Sequence, residues 1–328
     1  MKLLILLHHR FQLWQVPDWF VKNLRAEFPN IEVTHRDNYE EVELYLRNAE
    51  IVFTLSLRPD QFKAAQRLKW IHCPAAAVHQ FIYPELTQSD VTLTNGRDVH
   101  GPVVAEQVMA LIFALAKKLP QAVGFQQKHI WGQEPMWNSL PHPREIAGAT
   151  LGLVGLGSIG RAVVRHASAL GMRVIATREH PEKGRPEGVA EVLPSSDIAV
   201  LLGQSDYVVL AAPVTADTQR LMDARRLAQM KAHACLINVG RGQLVDETAL
   251  VHALRHGTIA GAALDVFDQE PLPADSPLWD LENLLITPHM GGLTEKLWQR
   301  QYALFSENLR RYLNHQPLLA LVDKQKGY

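Results

Sequence analysis

Leu151-Gly-Leu-Val-Gly155-Leu-Gly157-Ser158-Ile159-Gly160-Arg161 decides how the rest of the chain is read. The stretch has the spacing G-x-G-x-x-G, follows an apolar run from Thr150 to Val154 and opens a helical pattern from Ile159 to Leu170. In such a strand-turn-helix, Gly155 permits the tight turn, Gly157 lets the backbone approach a pyrophosphate, and Gly160 allows close packing of helix on strand. The helix N-terminus then faces the negative charge. A glycine-rich turn with no ligand is the alternative, and the context argues against it. The helix breaks at Gly171 and a second strand, Arg173 to Thr177, follows at βαβ distance. The turn therefore reads as a dinucleotide site, with Ser158, Ile159 and Thr177 beside the three glycines.

Strand-like and helix-like segments alternate outward from this turn in both directions, which predicts an α/β protein built on parallel sheets. Upstream, Leu3 to Leu7, Ile31 to Thr34, Ile51 to Leu55, Lys69 to Cys73 and Val91 to Thr94 read as buried strands, with a helix from Asp18 closed by Pro29. A long apolar helix follows Gly101-Pro102, with Pro102 in its first turn. Residues 120–146 carry no clear period and read as a connection. Downstream, Asp206 to Ala211, Ala234 to Val239 and Ile259 to Val266 read as strands; Asp246 caps a helix that Gly257 ends. Leu293 to Asn314 has one apolar stripe at helical spacing.

Composition narrows the class. The 328 residues make two domains on the usual prior, and 47% hydrophobic with 20% charged residues exclude wholesale disorder. With 33 Lys and Arg against 34 Asp and Glu there is no bulk attraction to nucleic acid or anionic membrane. The apolar run after Met1-Lys2 is five residues long, shorter than a signal segment of about 7–15, and reads as a strand. Cys73 and Cys235 cannot form a disulfide framework and read as core residues, which fits a cytoplasmic setting. No metal-ligand cluster is expected.

Chemistry is expected at four places. In dinucleotide folds an acidic residue ends the second strand and binds the ribose hydroxyls; here Arg178 stands there and Glu179 follows. An arginine pairs bidentately with a 2′-phosphate, so NADP(H) is favoured over NAD(H), the alternative being an exposed Arg178 with Glu179 on the ribose. Arg185 is a second candidate cation. Three motifs then fall at strand ends, Asn238-Val-Gly-Arg241-Gly242, Asp265-Val-Phe-Asp-Gln-Glu270-Pro271 and Thr287-Pro-His289-Met-Gly291-Gly292. Each sets one Arg, Glu or His beside Gly or Pro, where a parallel sheet forms its ligand crevice.

With these motifs in order, the chain resembles the D-isomer-specific 2-hydroxyacid dehydrogenase family, from Leu68-Lys-Trp-Ile to Asn308-Leu-Arg-Arg-Tyr and Val322-Asp. The resemblance implies a catalytic set of Arg241, Glu270 and His289. Arg241 would clamp the carboxylate or carbonyl of a 2-keto acid, His289 would exchange the proton, and Glu270 would fix the imidazole tautomer. It also implies that Asp265 holds the nicotinamide amide, that Pro213 walls the adenosine and that Val104 touches the nicotinamide; Gly291 is counted with these cofactor contacts. Relatives commonly have a Gly-Val-Asp-like run whose amides receive the substrate carboxylate. This chain has Pro74-Ala75-Ala76-Ala77-Val78-His79 instead, so Ala76 and Ala77 are the candidate substrate contacts.

The implied architecture is a Rossmann cofactor domain, residues 99–292, inserted into a flavodoxin-like substrate domain of residues 1–98 and 293–328, with hinge closure in catalysis. A homodimer through the cofactor domain is also implied, with Trp131 and Trp137 on the connection reaching the partner. The expected activity is reduction of a small 2-keto acid, glyoxylate or hydroxypyruvate, to the D-2-hydroxy acid. An NAD-dependent phosphoglycerate dehydrogenase is the alternative within the class, and a non-catalytic dinucleotide-sensing corepressor the alternative outside it.

Overall fold

In a computed structural model, which describes residues 1–327, the first sheet is formed by β1 (Lys2–Leu6), β2 (Glu32–Arg36), β3 (Ile51–Thr54), β4 (Trp70–Cys73) and β5 (Thr92–Asn95). The order is β2-β1-β3-β4-β5 and every pairing is parallel. The second sheet contains β6 (Thr150–Val154), β7 (Arg173–Arg178), β8 (Val189–Pro194), β9 (Tyr207–Leu210), β10 (Cys235–Asn238), β11 (Gly261–Leu264) and β12 (Leu284–Ile286). Its order is β12-β11-β10-β9-β6-β7-β8, again all parallel. Both are doubly wound: the first has flavodoxin-like order and the second the Rossmann order extended by one strand. The expected α/β class of two parallel-sheet layers holds. The chain divides into one unit of residues 1–100 with the stretch from 293 onward, and a second of Gly101–Gly292.

Each sheet is buried on both faces, so its central strands read as continuous apolar runs. In the first unit β1 and β3 are buried almost throughout, and Phe20, Phe53, Trp70, Trp298 and Phe305 form an aromatic cluster on one face. The helix Leu297–Leu313 supplies Trp298 and Phe305 through its apolar stripe. The helix Arg97–Ala116 begins in the first unit and, from Gly101 onward in the Rossmann unit, buries Val104, Ala105, Val108 and Ile112 against β6 and β9 residues. It starts at Arg97, so Pro102 lies in its second turn and not its first, where its absent N–H leaves one helical carbonyl without its partner. Asp246 accepts from the Ala249 N–H as N-cap, and Gly257 follows that helix with φ +66°.

The segment read as a patternless connection contains two helices, Leu119–Gln127 and Gln133–Asn138. Neither buries a residue, so neither carries the stripe that would reveal it in sequence. Their surroundings expose Leu119, Val123, Ile130, Trp131, Trp137 and Leu140.

One buried group gives the first unit a pH dependence. His72 on β4 is fully buried, with Nδ1 bonded to Thr94 Oγ1 at 2.8 Å, and desolvation pushes its pKa down to about 3, with the nearby Gln301 opposing the shift. Its unfolded value is about 6.5, so between these limits the unfolded chain binds the extra proton. The associated stability is complete above about pH 6.5 and is lost as pH falls toward 3. The loss reaches about 2–3 kcal/mol by roughly pH 4.5. The denaturant midpoint of this unit is expected to fall over that range, and His72→Phe to remove that part of the slope. An equal slope in both proteins would contradict the assignment.

Candidate active site

The glycine turn sits at the carboxyl end of β6, the central strand where the order of the Rossmann sheet reverses. Gly155 has φ +101°, and a Cβ there would meet the Ala211 carbonyl oxygen at 2.8 Å. A Cβ on Gly160 would stand 2.2 Å from the Gly155 oxygen, so the first helical turn lies directly against the loop. At Gly157 nothing lies within 4 Å of such an atom. The helix Ser158–Ala169 therefore begins beside open space, with Ser158 and Ile159 in its first turn. Close packing at two glycines and room at the third suit a pyrophosphate, with the first-turn amides as donors.

Thr177 is buried at the end of β7, and its carbonyl accepts from the Gly155 N–H at 3.1 Å. Arg178 is half-buried and donates to the Gly184 carbonyl at 3.3 Å. Glu179 lies beside His180, which also meets Glu182 at 3.1 Å. Arg185 donates to the Ala190 carbonyl. Pro213 is exposed past the end of β9, where its carbonyl accepts from Thr218 Oγ1. Val104 is 7% exposed and packs in the core cluster.

Three loops at the carboxyl ends of β10, β11 and β12 carry the reactive set. Asn238 shapes the first: its amide donates to the Arg241 carbonyl at 2.8 Å and its Oδ1 accepts from Gly240 N–H. Arg241 is half-buried, and burial lowers its pKa while the nearby Glu270 charge opposes the shift. A guanidinium remains charged in that setting. Glu270 uses both oxygens, one for the Phe267 N–H at 2.9 Å and one for His289 Nδ1 at 2.6 Å. Since a carboxylate only accepts, Nδ1 is the donor, and Nε2 of the half-exposed imidazole is left as the exchangeable nitrogen.

Asp265 is 2% exposed, and its carboxylate is engaged by its own neighbours. Thr287 Oγ1 donates to it at 2.5 Å, Met290 N–H at 3.0 Å and Gly291 N–H at 2.9 Å. The His289 N–H reaches the Asp265 carbonyl at 2.8 Å. Asp265 and Gly291 thus build the turn that presents His289. Sequence reasoning gave no role to Asn238 and Thr287, although both open quoted motifs, nor to Glu247, which accepts from the Asp268 N–H at 2.8 Å.

In the other unit the loop after β4 is tied down by its carbonyls. Pro74 O accepts from Gln301 Nε2 at 2.6 Å, Ala75 O from Gly96 N–H at 3.0 Å and Ala76 O from Asn95 Nδ2 at 2.6 Å. Half-buried Ala76 and Ala77 remain accessible at this loop.

Residues 109–291 match the model of the D-isomer specific 2-hydroxyacid dehydrogenase NAD-binding domain. The chain belongs to this family. A glyoxylate reductase of Thermococcus onnurineus is 34% identical over 95% of this chain and 94% of its own length. Among solved structures, a D-isomer specific 2-hydroxyacid dehydrogenase from Xanthobacter autotrophicus, in complex with NADPH and MES, superposes with a TM-score of 0.85 at 30% identity, covering 99% of both chains. An NADPH-dependent glyoxylate/hydroxypyruvate reductase from Sinorhizobium meliloti gives 0.82 at 27% identity over 100% of this chain and 99% of the other. As a member of this family of oxidoreductases, the protein has a Rossmann unit of NAD(P)-binding type.

Proposed function

We propose that the protein reduces a small 2-keto acid of the glyoxylate or hydroxypyruvate kind to the D-2-hydroxy acid, with NADPH as the preferred donor. The observation that carries this reading is the 2.6 Å pairing of Glu270 with His289 Nδ1, beside a half-buried Arg241. When bound, the nicotinamide supplies the hydride. Gly155, Gly157, Ser158, Ile159 and Gly160 would hold the pyrophosphate at the helix N-terminus.

The residues divide the remaining work by chemistry. Arg241 holds substrate oxygens with its planar fork and steadies negative charge on the carbonyl oxygen. His289 gives the proton from Nε2, and Glu270 stabilises the imidazolium while fixing the ring. The amides of Ala76 and Ala77 are offered as carboxylate donors, which assigns the first unit to substrate and the second to cofactor. The relatives named above support a small substrate, since they are a glyoxylate reductase and a glyoxylate/hydroxypyruvate reductase. A second copy of the chain against the exposed Trp131 and Trp137 surface, in a cytoplasmic setting, completes the reading.

NADPH preference is supported by Arg178 at the end of β7 and by solved relatives that hold NADPH or NADP. Following the nicotinamide absorbance with glyoxylate and hydroxypyruvate, and each cofactor in turn, tests the whole reading. Turnover faster with NADPH is expected. Arg178→Asp is expected to move the NADPH-to-NADH ratio of kcat/KM by about tenfold to hundredfold toward NADH, the range of one charged hydrogen bond. A faster reaction of the unaltered protein with NADH would refute the role of Arg178, and no turnover with a broad panel of 2-keto acids would refute the activity.

A further inference from the structure

We propose that Gln107 is a positioning residue for proton transfer, acting through Thr287 and Asp265 on the turn that carries His289. The proposal rests on the reading of His289 as proton donor. Gln107 lies on the helix Arg97–Ala116 and donates from Nε2 to Thr287 Oγ1 at 3.3 Å. A hydroxyl has one proton, so with Thr287 accepting from Gln107 that proton is committed to Asp265 Oδ1 at 2.5 Å. The same carboxylate gathers Met290 N–H and Gly291 N–H, and the Asp265 carbonyl gathers His289 N–H.

The turn needs such support. His289 has φ +50°, a left-handed conformation that is unfavourable for a non-glycine residue and persists only where neighbours impose it. The Gln107 side chain also leaves little room at Gly291, where an added Cβ would lie 3.5 Å from Gln107 Cγ. The helix therefore reaches the turn by a hydrogen bond before His289, with the Gln107 stem near Gly291 after it. The charged groups about this turn are Glu270 on the imidazole, Asp265 beneath the main chain, and Arg241 close to Glu270. Gln107 aligns the proton of Thr287 without adding a charge of its own.

Four variants separate positioning from bulk packing. Gln107→Met keeps the methylenes and removes the donor; Gln107→Glu competes with Asp265 for the single Thr287 proton; Thr287→Val removes the hydroxyl and Thr287→Ser keeps it. Each is measured for thermal melting, NADPH dissociation constant, kcat and KM. The ring nitrogens of His289 are followed by 15N NMR through a pH titration, assigned with His289→Ala. Gln107→Met and Thr287→Val are expected to lower kcat about tenfold with KM and NADPH affinity within about twofold, the pattern of a misplaced proton donor. Thr287→Ser is expected to stay near the unaltered protein, Gln107→Glu to lower kcat as Gln107→Met does, and Gln107→Met and Thr287→Val to displace the ring 15N signals of His289.

Unchanged kcat in a folded Gln107→Met protein, or loss confined to cofactor affinity or melting temperature, would overturn the proposal. Should the unaltered protein reduce no keto acid, the activity reading fails by itself. The NMR spectra then decide the coupling, with displaced His289 ring signals in the uncharged Gln107→Met protein supporting it and undisplaced ones refuting it.

Discussion

Replacing His289 with alanine is expected to lower kcat by about three orders of magnitude, the range of a lost general acid. NADPH affinity should stay within about twofold, because the change removes no group that binds the dinucleotide. The expectation follows from how the ring is held. Glu270 takes Nδ1 at 2.6 Å and is itself fixed by the Phe267 N–H, so one nitrogen is committed and only Nε2 is free to exchange a proton. The turn itself is built from main-chain bonds to Asp265 and survives loss of the imidazole. Because φ at this position is +50°, His289→Asn gives a second inactive protein whose side chain suits the left-handed region better. Steady-state kinetics with cofactor fluorescence titration measure both quantities. Substantial residual turnover in both variants would remove His289 from the proton-transfer role.

Gly242→Ala is expected to be nearly as damaging, although no reacting group is altered. A Cβ at this position would fall 1.8 Å from the Phe267 carbonyl carbon and 2.0 Å from its oxygen. Both atoms are backbone, so relief requires the Arg241 loop and the Glu270 loop to part. Overpacking of this severity is expected to cost about 3 kcal/mol or more in stability. A displacement near 1 Å between Arg241 and Glu270 is expected to lower kcat about a hundredfold. The glycine after the arginine thus reflects how closely the two loops approach. Chemical denaturation and kinetics check the two effects, and a fully active, fully stable Gly242→Ala protein would show that the loops are not in contact.

These residues also show where sequence reading succeeds and where it runs out. Gly155, Gly157 and Gly160 were legible because their spacing encodes one local backbone shape within a single strand-turn-helix. Arg241, Glu270 and His289 were legible as motifs. Their pairing came only from family resemblance, since it joins three strand ends distant in sequence. The two edge strands of the Rossmann sheet were not legible. β8 is interrupted by Glu191 and ends on Pro194, and β12 is apolar but only three residues long, so neither has the sustained apolar run of a central strand. The helices Leu119–Gln127 and Gln133–Asn138 escaped because neither buries a residue. Gln107 sits on a helix whose apolar residues dominate the pattern, and its partner Thr287 is 180 residues away. Such long-range polar contacts leave no periodic trace.

The central claim is that the Rossmann unit and the Arg241, Glu270 and His289 set make this chain a reductase that forms D-2-hydroxy acids. Incubating the purified protein with hydroxypyruvate and NADPH, and resolving the glycerate formed by chiral chromatography, tests that claim most directly. D-glycerate in amounts matching the NADPH consumed is the result predicted. L-glycerate, or no glycerate with the cofactor unconsumed, would contradict it.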